Sequence, residues 1–147
     1  MGLFDKVLGK DSSTISLNKA EGFAAVAVSA VASDGEISEE EIQRVAIDLA
    51  TLRAFRRHDM RELGNTLNKV AGLVKRRGAG PVLQAAKGSL NADEVKAAFF
   101  VAVDLVFADG TVEEGERKFV DELQSTLQID EVTALKIVEV VNIKNKV

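Results

Sequence analysis

The chain repeats one pattern: residues 26–45 read VAVSAVASDGEISEEEIQRV, and residues 101–120 read VAVDLVFADGTVEEGERKFV. A shift of 75 residues aligns the two stretches with nine of 20 positions identical. Each copy has an almost wholly apolar segment, an Asp-Gly turn, one β-branched residue and an acidic helix start. The sequence therefore predicts a duplicated unit of helix, Asp-Gly turn and helix.

The apolar segments also indicate how the two copies are arranged. A helix that is apolar on nearly all sides must be surrounded by other elements. We therefore expect the two apolar helices to pack together at the centre, related by a pseudo-two-fold, with the other helices outside. With 147 residues, 46% of them apolar, one Pro and no Trp or Tyr, the chain is predicted to form an all-α, single-domain bundle of about seven helices.

Capping residues predict where the helices begin and end. The expected spans are Asn18–Ser33, Ser38 to about Arg53, Asp59–Gly78, a short helix around Pro81, Asn91–Ala108, 113–127 and Asp130–Val141. The predicted organisation is a weakly ordered lead over residues 1–15 and a helical domain over 16–147. Within that domain lie repeat one (about 18–53), basic middle helices (59–89), repeat two (about 91–127) and a C-terminal helix (130–142).

The two Asp-Gly turns carry the chemistry that the sequence offers. Each resembles the second half of a 12-residue calcium loop, with Gly at position 6, an apolar residue at 8 and Glu at 12. In the first turn these residues are Gly35, Ile37 and Glu41. The acidic first half is missing from both copies, and calcium needs six to eight oxygens, so neither copy is an EF-hand.

Two such half-sites brought together by the duplication could share one hard cation. Oxygen-only ligands favour calcium, magnesium or manganese over zinc. Glu113 is a further contributor to consider. The candidate metal ligands are Asp34, Glu36, Glu41, Asp104, Asp109 and Glu116.

A purely structural role explains the same turns. Asp tolerates left-handed backbone and Gly adopts it freely, Ser38 caps a helix, and acids in a first turn interact favourably with the helix dipole. Asp104 also has two interpretations. It could add a carboxylate to the site, or it could belong to a narrow solvated stripe with Asp93 and Lys96.

The paired segments 32–41 (ASDGEISEEE) and 107–116 (FADGTVEEGE) resemble the signature of the TerB-like tellurite-resistance family. The resemblance extends over about residues 16–142. It implies an all-helical fold, a part in tellurite resistance and bacterial stress responses, an acidic surface capable of binding metal, and no established catalytic activity. The carried-over signature positions are Asp34, Gly35, Glu41, Asp109, Gly110 and Glu116. Thr111 and Gly115 replace the acids Glu36 and Glu40 of the first copy, which makes the two turns unequal.

Charge is unevenly distributed along the chain. Residues 53–77 carry a net charge of +6, and the rest carries −10. Phe55 is the only aromatic residue in this basic segment, so we do not expect nucleic-acid binding. A protein partner or self-association between acidic and basic faces is the alternative function, without any metal. Leu3, Phe4, Val7 and Leu8 would support at most a peripheral membrane contact.

Several function classes are disfavoured by composition. The chain has no Cys and one His, His58, so thiolate metal sites and thiol nucleophiles are excluded and a Ser-His-Asp triad is not expected. No apolar run reaches the roughly 20 residues of a membrane span. We expect a cytoplasmic protein that is not an enzyme. A metal-assisted hydrolase using two Asp residues is a third hypothesis, without a substrate pocket signal in the sequence.

Overall fold

A computed structural model of the protein describes residues 14–108 and 110–147. The predicted amphipathic turn through Leu3, Phe4, Val7 and Leu8 lies outside the described residues, and so does Asp109. The described part contains seven α-helices and no strand. They are α1 (Lys19–Val31), α2 (Glu39–Ala50), α3 (Met60–Arg77), α4 (Ala79–Ser89), α5 (Ala92–Phe107), α6 (Glu114–Thr126) and α7 (Glu131–Lys144). A 3-10 helix, Arg53–Phe55, links α2 to α3.

The helices begin where local capping predicts. The side chains of Asn18, Ser38, Asp59, Asn91 and Asp130 each accept a hydrogen bond from a backbone N–H in the first turn of their helix. These predicted starts are confirmed, because an N-cap acts within four residues of itself.

The predicted ends are less accurate. Helices α1 and α2 end at Val31 and Ala50, earlier than expected, and α7 continues to Lys144. Their C-cap residues are Ala32, Thr51 and Asn145, so no glycine marks these ends. By contrast, Gly78 adopts a φ of 85° directly after α3 and ends that helix as predicted.

The two apolar helices form the centre of the fold. Helix α1 is buried without interruption over residues 21–29, and α5 over residues 101–106. They pack against each other; α1 also contacts α2, α3 and α4, while α5 contacts α6 and α7. The all-α, single-domain fold and the central packing of these helices are confirmed. The pseudo-two-fold relation between the repeats stays a prediction.

No helix in the described part of the chain is long and apolar enough to cross a membrane.

Candidate functional site

The first Asp-Gly turn is packed tightly against the end of α3. The Asp34 carboxylate accepts a hydrogen bond of 2.9 Å from the backbone N–H of Glu36, which closes the turn. Gly35 has a φ of 82°, and a Cβ at this position would lie 2.6 Å from the carbonyl oxygen of Ala71. Glycine is therefore required here both by the backbone conformation and by the close approach of α3.

A positive charge already lies against this turn. The Lys75 ammonium, in the last turn of α3, forms an ion pair of 2.5 Å with the Glu36 carboxylate. The hydrogen bond to Glu36 raises the pKa of Lys75, and the charges of Glu36 and Asp34 add to that effect. Both partners of the ion pair are largely exposed, so it contributes little to stability in water. The acids of the first turn thus share one resident cation.

Glu41 and Glu116 each have one carboxylate oxygen engaged at the start of their own helix. Glu41 Oε1 accepts from the Ser38 N–H at 3.0 Å, and Glu116 Oε1 accepts from the Glu113 N–H at 3.1 Å. Ser38 Oγ in turn accepts from the Glu41 N–H at 3.1 Å, a reciprocal capping box. In bidentate metal ligation, that oxygen of either Glu would have to serve both the capping N–H and the metal ion.

The second turn has more space around it. Gly110 has a φ of 79°, and its N–H donates to the Phe107 carbonyl at 3.1 Å. Apart from the neighbouring residues in the chain, no described residue has an atom within 4 Å of a Cβ built at this glycine, unlike at Gly35. Phe107 and Val112, on either side of the turn, line an open cleft of about 450 Å³ with residues of α6 and α7. The two glycines therefore share a positive φ, but their described surroundings differ.

Asp104 is in the interior and not on a solvated stripe. It is 5% exposed, and its two carboxylate oxygens accept from the Lys144 ammonium at 3.0 and 3.1 Å. Asn145 Nδ2 donates to the same carboxylate at 2.9 Å. The stripe interpretation with Asp93 and Lys96 was wrong, because Asp104 connects α5 to the end of α7 and does not face water.

A second carboxyl group, from Asp48 of α2, completes this cluster. Burial raises the pKa of Asp48 to about 7, and the charge of Asp104 and a hydrogen bond to it act in the same direction. Burial also raises the pKa of Asp104, but hydrogen bonds from Asn145, Lys144 and Asp48 outweigh it, and the net pKa is lowered. Below about pH 7, Asp48 is therefore the proton donor of the pair and Asp104 is the carboxylate.

The candidate ligands consequently separate into different environments. Asp34 and Glu36 meet at Lys75, whereas Asp104 meets Asp48 and Lys144. Glu41 and Glu116 remain at their own helix starts. Among residues 14–108 and 110–147, no three His, Asp or Glu side chains form a group arranged to hold a metal ion. Asp109 lies outside that part of the chain.

The comparison with protein families covers both turns and most of the helices. The family model described as tellurite resistance protein TerB matches residues 20–137. The chain belongs to the TerB family. No curated protein and no solved structure matches it closely enough to be compared. For this TerB-family chain, the match supports an association with tellurite resistance. The matched residues include both acidic turns.

The basic segment of the TerB-family chain is divided by the fold. Arg56, Arg57 and Arg61 lie at or just before the start of α3, and Lys75, Arg76 and Arg77 lie in its last turn. Eighteen helical residues separate these two ends by about 27 Å. Only the second end approaches the first acidic turn, through Lys75. The charges predicted as one basic face are thus spread along α3 and the segment before it, with Lys69 between the two ends and paired to Glu21.

The sequence did not indicate two residues that contact the candidate ligands, Lys75 and Asp48. Lys75 was assigned only to the basic segment, and nothing local connects it with Glu36. Asp48 lies beside the buried positions Val45 and Leu49 of α2. Its place at the edge of that apolar stripe was the available signal, since a carboxylate there must find a partner or a proton.

Proposed function

We propose that this TerB-family chain is a non-catalytic tellurite-resistance and stress-response module whose Asp-Gly turns bind a divalent cation. Calcium, magnesium and manganese are the candidates, because every proposed ligand atom is an oxygen. Asp34 and Asp109 would be the first ligands, and Glu41 and Glu116 the closing carboxylates. Glu36 would contribute in the first turn, and Asp104 only if it were released from Lys144.

The proposal is supported by a positive charge that already lies at the first turn. The carboxylates of Asp34 and Glu36 act together on the Lys75 ammonium, an exposed cation that contacts Glu36 at 2.5 Å. A metal ion bearing two charges would interact more strongly with the same carboxylates than one ammonium does. The Lys75 side chain is largely exposed, so it can move away into solvent when a metal ion arrives.

The number of available oxygens sets the expected affinity. Asp34, Glu36, the second oxygen of Glu41 and a backbone carbonyl leave the first turn short of the six to eight oxygens that calcium requires. Water, or the second turn, would have to supply the remainder. We therefore expect weak binding, with a dissociation constant on the order of 10⁻⁴ to 10⁻³ M, comparable to extracellular calcium modules.

Calorimetric titration of chelator-treated protein with calcium, magnesium and manganese tests this function. The decisive variant is Asp34→Asn combined with Asp109→Asn, which keeps the turn-forming side chains and removes two charges. Asp93→Asn, an exposed acid in the first turn of α5, is the matched control. Saturable heat in the parent and control that the double variant loses would support the cation site. Absent heat, or equal heat in all three proteins, would refute it.

A metal-free interaction module is the second candidate. It is favoured by the local hydrogen bonds that engage Asp34, Glu41 and Glu116 in the protein as it stands. In that case the acidic turns would recognise a partner protein through charge, and added calcium would leave the association unchanged. The association should weaken as salt is raised from about 50 to 500 mM, because screening acts on exposed charges.

A further inference from the structure

Helix α7 is apolar on two faces, and only one of them is covered. Its inner face packs on the core through Ala134, Ile137, Val138 and Val141. Its outer face exposes Val132, Val140 and Ile143, which are 64%, 59% and 63% accessible. Leu135, 59% accessible, lies at the edge of this face and also lines the cleft beside α6. A helix with apolar residues on opposite sides is typical of one that is covered on both. The outer face therefore lacks a partner within the described chain.

The outer residues follow the spacing of a coiled-coil seam. Positions 132, 136, 139 and 143 are separated by four, three and four residues, the alternation of d and a positions in a heptad. Val132 and Ile143 form the ends of this seam, and Lys136 and Glu139 form its middle. Leu135 and Val140 flank it on either side. Among the described residues, neither Lys136 nor Glu139 has an ion-pair partner.

This seam is complementary to itself in one orientation. When two α7 helices pack antiparallel about a two-fold axis between residues 137 and 138, each a position meets a d position of the other copy. Val132 then faces Ile143 of the second copy, and Lys136 faces Glu139 of the second copy, at both equivalent places. A parallel arrangement would instead place Lys136 against Lys136 and Glu139 against Glu139, which is repulsive.

We propose that the outer face of α7 is a self-association surface, and that its occupant is α7 of a second copy, packed antiparallel. The central pairs of Lys136 and Glu139 select the orientation and register, and the apolar residues supply the attraction. A closed two-fold contact of this kind uses the same patch on both copies. The proposal does not depend on the cation site, since none of these residues is a proposed ligand.

The expected strength follows from the size of the contact. One 14-residue helix from each copy buries less than the roughly 1,200 Å² typical of stable complexes. The dimer should therefore be weak and in exchange with monomer. Sedimentation equilibrium of the full chain over a wide concentration range is the appropriate measurement. A protein that stays monomeric up to about 1 mM would overturn the proposal.

Charge reversal provides the specific test. Lys136→Glu places Glu against Glu139 of the second copy, and Glu139→Lys places Lys against Lys136, so each single variant should lose self-association. An equal mixture of the two single variants should form a heterodimer, because opposite charges meet again at both places. The double variant, Lys136→Glu with Glu139→Lys, should recover the homodimer. All four residues of the seam are exposed, so helical circular dichroism should be unchanged in these variants.

Lys118→Glu, an exposed charge reversal on α6, is the matched control and should behave as the parent chain does. If both single variants associate as strongly as the parent, the contact lies on another surface and the proposal is wrong. It is equally wrong if the mixture of single variants remains monomeric while the parent dimerises. Recovery in the mixture and in the double variant cannot be explained by an effect on folding alone.

Discussion

At the scale of single residues, the two glycines of the turns have the same backbone conformation and different surroundings. Gly35 has a φ of 82° and would clash with α3 if it carried a Cβ. Gly110 has a φ of 79°, and no residue in the described part of the chain beyond its neighbours would contact such a Cβ. The sequence identified both residues as turn glycines, because Asp-Gly before an acidic helix start is a local pattern. It did not indicate that only one of them lies against another helix, since that contact involves residues far along the chain.

The difference predicts unequal costs for the same substitution. Gly110→Ala should lower the free energy of unfolding by about 1 kcal/mol, the cost of left-handed backbone for a residue with a side chain. Gly35→Ala should cost about 3 kcal/mol, because the clash with Ala71 and Lys75 is added. Urea unfolding followed by circular dichroism measures both values. Equal losses would show that the first turn does not pack on α3 as described.

The Asp48 and Asp104 pair predicts a stability that depends on pH. The folded-state pKa of Asp48 is raised from 3.8 to about 7, so Asp48 stabilises the folded chain least once the pH exceeds 7. The stability that Asp48 contributes is complete below about pH 4 and is lost as the pH rises to about 7. The pKa of Asp104 is lowered in the folded chain, so the pH dependence of its contribution is opposite. Asp104 stabilises the folded chain at neutral pH and loses that contribution only in acid.

Asp48→Asn should therefore raise the free energy of unfolding relative to the parent above pH 7 and leave it nearly unchanged at pH 4. The amide can still donate a hydrogen bond to Asp104, but it cannot ionise. We expect the free energy of unfolding to rise by about 1 kcal/mol at pH 8, since solvent screens this half-buried group. Denaturant unfolding between pH 4 and 9 measures the difference, with Asp93→Asn as an exposed control. If the difference in unfolding free energy between Asp48→Asn and the parent does not change with pH, Asp48 does not hold a proton against Asp104 in the folded chain.

At the scale of the helices, capping is the part of the structure that the sequence predicts best. Asn18, Ser38, Asp59, Asn91 and Asp130 were identified because each acts on N–H groups within its own first turn. The 3-10 helix Arg53–Phe55 and the early end of α2 were not predicted. No local residue pattern marks either of them. Phe55 is 2% exposed, and the centroid of its ring lies 5.6 Å from that of Phe23. This contact joins segments that are distant in the sequence, so no local pattern could indicate it.

Helices α2 and α6, which follow the two Asp-Gly turns, have different N-cap residues. Substitutions at these two residues should therefore change the stability of the folded chain in opposite directions. Ser38 caps α2 through its hydroxyl group, so Ser38→Ala should cost about 1 kcal/mol of stability. Glu113 occupies the corresponding position before α6, where Ser is preferred, so Glu113→Ser should add about 0.5 kcal/mol. Thermal and urea unfolding of the two variants measures both changes. A loss at Glu113 would mean that its carboxylate has a role beyond capping.

At the scale of the whole molecule, the apolar segments predicted the fold, and the contacts between helices determine the candidate site. Helices apolar on all sides can lie only at the centre, and α1 and α5 do so. The pairs Asp104 with Lys144 and Glu36 with Lys75 join distant residues, and no periodicity in the sequence indicates which cation meets which acid. The proposal for the acidic turns therefore depends on Lys75 as much as on the Asp-Gly pattern.

If the first acidic turn binds a divalent cation, that cation must compete with the Lys75 ammonium for the same carboxylates. Lys75→Gln removes the resident ammonium, so a divalent cation would no longer compete with it for Asp34 and Glu36. Calorimetric titration with calcium and manganese should show several-fold tighter binding than the parent chain. Arg76→Gln, which removes the same charge one residue away, should have a much smaller effect. Unchanged binding in Lys75→Gln, or no binding by any of the three proteins, would show that the first turn is not a divalent-cation site occupied by Lys75.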